Sequence, residues 1–561
     1  ENTAHNDKND IFNITIGIER EPSALFPIKR SADVERQVFQ YIFMQCADYD
    51  PITLENTPLL LEKFPDKTSI DTGTYKGSYR YDISLRDNAK WDNGSEITGF
   101  DYLFTIKMIL FPAIELHPSL RALYKHIIGI EINEDNPKKF SVYTDKSYML
   151  SDELVTNMEI FPEYFYDSLK VLREINLSDI INNNINEEIL VASELQDFIS
   201  KINGAYFMRD HISGAGPYKL ESWIANNQIV LSKKENWWGQ DISDISYFKN
   251  YPEKLIFKII PDKTTEFIEL KNGNVDLIQG EFGQDFVSMH KDEKNKDKFN
   301  FFDPLSLQYY SLILNNRNKI LEDVNVRKAL AHLVDVNSLL KTFGTGGEMR
   351  MITPVHPEKK YYDKNLTPID FNIDKAKSLL SEAGWKENNG ILEKSIDEKN
   401  VKLKLSISIT GQSFGKSLAL QLKENAAKAG IEIEIITVAG NNYRNMLKNN
   451  DFDMTPVIGG SDLADEDPFN DWASANAGVG GTNLSGFHDK ECDEIIDKIR
   501  NASDKEKRAE YYKEFQKIIY DQQPVIFLYF PTNNIIVDKK YDSFASIKRP
   551  GYFANAFTLK K

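Results

Sequence analysis

The segment with the clearest chemical character is a glycine-led acidic loop that runs from Gly459 to Trp472 and reads GGSDLADEDPFNDW. Glycines allow a ligand to approach the backbone closely, carboxylates attract an amine or a metal ion, and an indole ring offers a contact surface. A calcium-binding loop needs acids at alternate positions and a distal bidentate Glu, and Asp465, Asp467 and Asp471 fit that spacing only loosely. The loop is therefore a candidate ligand site, and the alternative is a solvated acidic turn.

The sequence contains no complete copy of the motifs for catalysis and cofactor binding that were compared with it. Residues 411–417 (GQSFGKS) separate their glycines by three positions, whereas a phosphate-binding loop needs four. The 8 histidines never lie three or four positions apart, and no Gly-x-Ser-x-Gly nucleophile elbow occurs. Acidic neighbours are expected to raise the pKa of the Cys492 thiol and so blunt its reactivity. The sequence thus predicts a protein that is not an enzyme and that has no catalytic residue, metal ligand or cofactor.

Regular elements must position the loop, and the spacing of apolar residues predicts where they lie. Strict alternation predicts strands, whereas a spacing of three or four residues predicts helices. The predicted strands are 11–18, 79–86, 228–232, 254–260, 401–409, 431–438 and 524–530. The predicted helices are 98–109, 187–202, 324–343, 373–383, 414–429 and 504–523.

The second half of the chain predicts parallel sheet. Strand 401–409, helix 414–429 and strand 431–438 follow one another with short joints, which is the pattern of a βαβ unit. Gly384 and Gly430 stand where a left-handed residue would end a helix. Because strands and helices alternate in mixed order, we expect α/β lobes rather than separate small domains.

Length, charge and cysteine content narrow the function further. The chain has 561 residues and a formal net charge of −17, which disfavours nucleic acid as a partner because phosphate binding needs clustered Lys and Arg. Its 2 cysteines exclude a disulfide scaffold, and its most apolar run, Val525–Phe530, is far shorter than the roughly 20 residues of a spanning helix. The polar start at Glu1 fits either removal of a targeting segment or cleavage of a tag.

Five segments, in the same order along the chain, resemble the periplasmic oligopeptide- and dipeptide-binding proteins of ABC importers, the family-5 extracellular solute-binding proteins. Each segment alone is mostly structural, since it consists of turns, helix stops and core leucines. The five segments follow the order and spacing of the family, and the resemblance covers nearly the whole chain. The segments are YDISLRDNAKWDNGSEITGFD at 81–101, GAGPYKL at 214–220 with NWWG at 236–239, LKNGNVDL at 270–277, LNN at 314–316 with DVNVRKALA at 323–331, and DKAKSLLSEAGW at 374–385.

The resemblance implies an α/β fold of the periplasmic-binding-protein type, a two-lobed clamshell with an extra domain inserted in the first lobe. Lobe one would comprise 1–47, 211–305 and 535–561. The inserted domain would be 48–210, and lobe two would be 306–534. The two cysteines would then lie in different domains and stay unpaired.

The resemblance also implies a ligand site. In this family a peptide lies extended between the lobes, pairs with protein strands, and meets an Asp of lobe two through its α-ammonium. Counting forward from Phe452 and Asp453 places that Asp at Asp462, whereas counting back from Pro468 leads to Ala464 beside Asp465, because the loop is longer here and lacks the family Trp. The residues expected to bind ligand are Asp462 first, then Asp465, with Gly460, Ser461, Ser31, Ala32 and Asp33 beside the ligand backbone.

Tyr309 and Tyr310 complete the expected site on a strand near the hinge, where a core role is an equal alternative. The implied function is capture of short peptides and their delivery to the membrane subunits of an ABC importer by a monomeric, extracytoplasmic protein. It would be periplasmic or a bacterial lipoprotein that contacts the membrane only through an N-terminal lipid anchor. The alternatives are a non-peptide solute such as a nickel chelate or a sugar, a hydrolase or metalloenzyme that uses the acidic loop, and a surface receptor.

Overall fold

The computed structural model describes residues 11–29, 33–116, 118–502 and 504–561. Contacts between Cα atoms divide the chain into two compact units. Unit 1 takes the described residues up to 282 together with 290–303 and 534–561, and unit 2 takes 283–289 and 304–533.

The strands are numbered in chain order. They are β1 Asn13–Ile18, β2 Ala47–Tyr49, β3 Asn56–Pro58, β4 Lys67–Ile70, β5 Ser78–Ser84, β6 Ile127–Ile132, β7 Lys139–Thr144, β8 Tyr218–Ile224, β9 Gln228–Lys233, β10 Lys254–Ile259, β11 Leu277–Gly280, β12 Phe299–Phe302, β13 Gln308–Leu314, β14 Met349–Arg350, β15 Lys386–Asn388, β16 Ile391–Ile396, β17 Lys399–Lys402, β18 Lys404–Ile409, β19 Glu432–Thr437, β20 Met454–Gly460, β21 Val525–Phe530, β22 Asn534–Asp538, β23 Tyr541–Asp542 and β24 Thr558–Leu559.

The α-helices are numbered in the same way. Short 3-10 turns lie at Ser246–Phe248, Ser474–Asn476 and Ala554–Ala556. The α-helices are α1 Asp33–Phe39, α2 Gly99–Leu110, α3 Pro118–Tyr124, α4 Ser151–Thr156, α5 Glu163–Tyr166, α6 Leu177–Ile181, α7 Glu187–Leu190, α8 Ser193–Asn203, α9 Lys263–Lys271, α10 Gln284–Lys291, α11 Glu293–Lys298, α12 Val324–Leu333, α13 Val336–Phe343, α14 Ile373–Glu382, α15 Ser413–Lys428, α16 Gly440–Asn449, α17 Phe469–Trp472, α18 Lys490–Asn501 and α19 Lys505–Gln522.

Unit 1 is built on a seven-stranded sheet in the order β12-β22-β11-β1-β10-β9-β8. The predicted alternation in β1 is confirmed, because Ile14, Ile16 and Ile18 are all at most 1% exposed and point into one core. β1 runs parallel to β10, and β10 pairs antiparallel with β9. A second, four-stranded sheet in the order β4-β5-β7-β6 lies in the same unit, next to α2, whose first turn is closed by a capping box between Thr98 and Asp101.

The Gly-Ala-Gly-Pro-Tyr turn before β8 is pressed against the backbone of Tyr41 and Ile42. The amide of Gly216 donates to the Ile42 carbonyl at 2.8 Å, and the amide of Tyr218 donates to the Tyr41 carbonyl at 3.0 Å. A Cβ on Gly216 would lie 2.5 Å from the Tyr41 carbonyl oxygen, which is far inside van der Waals contact. The glycine is therefore required by close approach of two backbones rather than by its own conformation.

We expect Gly216→Ala to lower the free energy of unfolding of unit 1 by about 3 kcal/mol or more, because the two backbones must separate and their hydrogen bonds lengthen. Chemical denaturation measures this. The matched control is Gly440→Ala, where an added Cβ meets no atom within 4 Å. That change should be neutral or stabilising by roughly 0.5–1 kcal/mol. Equal stabilities of the two variants would contradict the packing argument.

Unit 2 contains a six-stranded sheet in the order β14-β21-β13-β20-β18-β19. The predicted βαβ unit is confirmed, since β18 and β19 pair in parallel through six residues and α15 connects them. Gly384 and Gly430 adopt φ values of +83° and +81° just past the ends of α14 and α15, as a left-handed stop requires. β21 is buried along its whole length, as its apolar run predicts.

Three predicted elements are wrong in their extent. The helix predicted at 187–202 is two helices, α7 and α8, separated at residues 191–192. The helix predicted at 324–343 breaks where the Asp335 side chain accepts the Ser338 amide and starts α13. The strand predicted at 401–409 divides at Leu403, whose amide donates to Leu392 at 2.7 Å while its carbonyl accepts from Glu432 at 3.0 Å. The chain passes there from one sheet to another.

The two cysteines are free and buried, Cys46 in unit 1 and Cys492 in unit 2. Burial first, and then the nearby Asp489 carboxylate, raise the pKa of the Cys492 thiol, so both the predicted direction and part of the predicted cause hold.

Among the described residues, no helix combines the length and the apolar character that crossing a membrane requires.

Candidate ligand site

The site is built on two adjacent strands of unit 2. β13 and β20 pair antiparallel over seven residues, with Tyr309 opposite Gly459 and Gln308 opposite Gly460. A Cβ on Gly459 would overlap the Tyr309 ring. Because Gly459 has no side chain, the ring can pack directly against the backbone of β20. Gly460 is exposed, and the amide of the following Ser461 donates to the Leu307 carbonyl at 2.7 Å. The acidic loop therefore starts at a fixed point beside an aromatic ring.

One edge of β20 is open. β18 pairs with β20 only at Met454, opposite Ile407, and β18 ends two residues later at Ile409. Within the described residues, no strand pairs with residues 457–460 on that side of β20. Ile458 in this stretch is 56% exposed. Unpaired backbone groups at a strand edge are a ready site for an added extended chain.

A buried lysine and a tyrosine clamp the acidic loop. The ammonium of Lys359, with a side chain only 7% exposed, donates to the carbonyls of Leu463 (3.2 Å) and Ala464 and lies 4.0 Å from Glu466. Ser461 Oγ donates to the Glu466 carboxylate, and the Tyr512 hydroxyl donates to the Glu466 carbonyl. Desolvation raises the pKa of Glu466 in spite of Lys359. Glu466 thus acts within the loop, as its anchor.

Two further acids of the loop are held by arginines. Asp465 lies 3.4 Å from Nη1 of Arg508, and Asp467, with a side chain 5% exposed, lies 3.1 Å from Nε of Arg500. The guanidinium of Arg500 also stacks over the Phe469 ring at 4.3 Å. Asp465 and Asp467 therefore help to hold the acidic loop in place through ion pairs. Across the described part of the chain, no group of three or more His, Cys, Asp or Glu side chains could hold a metal ion.

The remaining acids of the loop, Asp462 and Asp471, form no ion pair among the described residues. Asp462 is exposed, and its carboxylate accepts the amide of Leu463 at 2.7 Å. Asp471 lies in α17 and borders a cavity of about 200 Å³, which we call the Asp471 cavity. This cavity is lined by Tyr309, Ser311, Ile313, Val457, Gly459, Gly460, Asp471, Trp472, Thr482, Leu484, Ser485, Val525 and Phe527.

The other expected site residues lie as follows. The Tyr309 ring packs edge-on against Phe530 at 6.0 Å, and burial and the nearby Asp471 carboxylate raise its pKa. Tyr310 points to the other face of the sheet, where it stacks on Tyr529 at 4.9 Å beside the core of unit 2. In unit 1, Asp33 begins α1 and pairs with Arg549 at 2.7 Å. Ser31 and Ala32 lie outside the described residues.

Comparison with known proteins identifies the family. The model of the bacterial extracellular solute-binding proteins, family 5, matches residues 69–481, which is well over half of the chain. The chain belongs to the family-5 solute-binding proteins. The family resemblance read from the sequence is therefore confirmed. Proteins of this family bind small ligands such as peptides and metal chelates and deliver them to ABC transporters, and they are not catalytic.

Relatives and solved structures extend along the full chain. The oligopeptide-binding protein OppA of Bacillus subtilis is 24% identical over 558 residues, covering 97% of this chain and 92% of OppA. The structure of AppA from Bacillus subtilis in complex with a nonapeptide has a TM-score of 0.70 at 21% identity and covers 98% of this chain and 99% of AppA. The structure of NikZ from Campylobacter jejuni in complex with Ni(L-His) has a TM-score of 0.69 at 23% identity. The match covers 97% of this chain and 99% of NikZ. This likeness confirms the predicted α/β solute-binding-protein fold.

Sequence reasoning missed two parts of the site. Lys359 lies 104 residues before Leu463, whose carbonyl it contacts, and no local pattern connects the two. The sequence places Asp471 only within an acidic cluster, although it is the acid that borders the cavity. The adjacent Trp472 was a usable signal, because an aromatic ring next to an unpaired acid is a frequent contact surface for organic ligands.

Proposed function

We propose that this solute-binding protein captures short peptides and delivers them to an ABC importer. The observation that carries the peptide assignment is the open edge of β20, residues 457–460, which ends at the exposed Gly460. Backbone pairing at such an edge recognises any extended peptide without regard to its side chains. The likeness to OppA over 97% of the chain and to AppA with its nonapeptide supports the same ligand class.

The acid that meets the α-ammonium is, in this proposal, Asp462. It follows the open edge by two residues, it is exposed, and it forms no ion pair among the described residues, whereas Asp465 is paired with Arg508. Gly460 and Ser461 would lie beside the ligand backbone, and Ser31, Ala32 and Asp33 are further proposed ligand contacts. A ligand ammonium placed against a carboxylate out of bulk water gains a charge-assisted hydrogen bond and avoids an unpaired charge.

Peptide binding can be measured by calorimetry with a tripeptide, its N-acetylated form and an analogue in which one backbone amide is an ester. We expect the ester to weaken binding about tenfold, because one strand-like hydrogen bond is lost. N-acetylation should weaken binding strongly, and Asp462→Asn should remove most of the difference between free and acetylated peptides. If the ester and the amide bind equally, pairing at the β20 edge is contradicted. If free and acetylated peptides bind equally, the role of Asp462 is contradicted.

A second candidate is a non-peptide solute, favoured by the full-length likeness to NikZ in complex with Ni(L-His). Native mass spectrometry of the purified protein decides between the two ligand classes, because a co-purified ligand gives its own mass. A peptide mass would support the first proposal. A chelate or sugar mass would overturn it in favour of the second.

We infer the remaining properties from membership of the family. The partners are the membrane subunits of an ABC importer, and the protein works outside the cytoplasm as a monomer, either periplasmic or held to the membrane by an N-terminal lipid anchor. Purified full-length protein should sediment as a monomer with and without peptide. It should stimulate ATP hydrolysis by importer subunits in vesicles only when peptide is present.

A further inference from the structure

The Asp471 cavity has a polar rim and an apolar floor. Asp471, Thr482 and Gly460 are exposed and mark its rim. Phe527 and Val525, only 7% and 3% exposed, form its floor. The cavity of about 200 Å³ thus has room for one flexible side chain with a charged or polar end.

Asp471 borders this cavity and has no partner among the residues that the structure describes. It forms no hydrogen bond or ion pair with the described residues, whereas its neighbour Asp467 is already held by Arg500 at 3.1 Å. An acid in this position gains from any ligand that brings a positive charge to the rim.

The walls suit an aliphatic chain rather than a metal ion or an anion. Tyr309 and Trp472 supply aromatic surface, and Trp472 is fixed by ring contacts to Phe515 and Phe527 at 6.1 and 6.2 Å. Among the described residues of the lining, Asp471 is the single carboxylate, and neither His nor Cys occurs. A metal ion would need more ligands, and an anion would be repelled by Asp471.

We propose that the Asp471 cavity is a subsite for an alkylammonium group of the ligand, the chemistry of a lysine side chain, in which the Asp471 carboxylate pairs with the ammonium while Tyr309, Trp472 and Phe527 cover the methylenes. This inference rests on the proposed capture function and sharpens it, because it predicts preference for cationic peptides. An ammonium near aromatic faces and a carboxylate is stabilised by both.

The subsite can be tested apart from peptide binding with n-butylammonium chloride, which reproduces the lysine side chain, and n-butanol, its uncharged analogue. We expect n-butylammonium to raise the melting temperature of the wild-type protein more than n-butanol does at equal ionic strength. Asp471→Asn should remove that difference. Asp71→Asn, which neutralises an exposed acid in unit 1, should retain it. Equal shifts of the wild type and Asp471→Asn would overturn the inference.

A peptide pair separates failure of the subsite from failure of the proposed function. Ala-Lys-Ala should bind the wild-type protein at least tenfold more tightly than Ala-norleucine-Ala, and Asp471→Asn should abolish that ratio. Asp462→Asn should weaken both peptides by the same factor. Equal binding of the two peptides by the wild type would overturn the subsite and leave the capture function standing. Binding of neither peptide would overturn the capture function, and the n-butylammonium result would then decide the subsite alone.

Discussion

Replacing Glu266 with glutamine is expected to abolish a loss of stability that the wild-type protein undergoes as the pH rises from about 4.5 to 8. Glu266 lies on α9 in unit 1 and is 2% exposed, and one of its carboxylate oxygens has no hydrogen-bond partner among the described residues. Burial first, and then the Glu19 carboxylate, raise its pKa to about 8, against a weaker opposing effect of Lys263. The carboxyl group packs against Gly17. A Cβ at that position would lie 2.9 Å from Oε1 of Glu266, so only a glycine leaves enough room.

The sign follows from proton binding. Between pH 4.5 and 8 the folded protein holds a proton on Glu266 that the unfolded chain has released, so the free energy of unfolding falls as the pH rises through this range. At pH 7 the cost is on the order of 3 kcal/mol, and it grows until the pH passes the folded pKa. Below pH 4.5 both states are protonated and the cost is absent.

Chemical denaturation at a series of pH values, followed by hydrogen exchange in β1 and α9, measures this effect. Glu266→Gln and Glu266→Met should both flatten the slope, and the second variant covers the case in which the glutamine amide lacks a partner. Glu269→Gln on the same helix is the control. Glu269 pairs with Lys258, which holds its pKa below the usual range, so that variant should leave the alkaline slope unchanged. A wild-type slope equal to that of Glu266→Gln would contradict the buried-acid argument.

Replacing Arg317 with methionine should both destabilise unit 2 and weaken ligand binding, because this side chain holds a wall of the Asp471 cavity. Its guanidinium donates to the carbonyls of Ala477 (2.9 Å), Asn483 (3.1 Å) and Leu484 (3.1 Å). It has no acid as a partner among these bonds, and burial lowers its pKa. A Cβ on Gly486 would overlap the guanidinium of Arg317. The backbone at Gly486 therefore packs directly against this side chain.

Loss of these donors leaves carbonyls unsatisfied on residues such as Asn483, which is 0% exposed. We expect a loss of roughly 3 kcal/mol or more in the free energy of unfolding of unit 2. Binding of Ala-Lys-Ala should weaken because Thr482, Leu484 and Ser485 line the cavity. Arg317→Lys should rescue only part of either effect, since an ammonium cannot reproduce the guanidinium fork.

Arg444→Met is the charge-matched control for Arg317. Arg444 is exposed on α16 and should be replaceable with little change in stability or binding. Denaturation and calorimetry on the same samples separate the two effects. If Arg317→Met and Arg444→Met behave alike, segment 477–486 is held by contacts other than the Arg317 fork.

The family, the α/β class and most of the helices and strands can be predicted from the sequence alone. Alternation in β1, the apolar run of β21 and the left-handed stops at Gly384 and Gly430 are local signals, and the structure confirms each of them. Local signals suffice there because burial of one face and backbone sterics act over a few neighbouring residues. They failed at Leu403 and Asp335, where a contact from elsewhere in the chain or a side-chain cap interrupts a continuous apolar pattern.

In the loop from Gly459 to Trp472, the roles of the individual acids depend on contacts that form only on folding. The sequence identified it as acidic and a candidate for ligand binding, but it could not rank the five acids, because their composition is the same whether they are paired or free. The structure pairs three of them with Lys359, Arg500 and Arg508, which lie far away in the chain. It shows no ion pair of Asp462 or Asp471 within the described part of the chain. Ion pairs and cavities are properties of atoms brought together by folding, and spacing along the chain does not encode them.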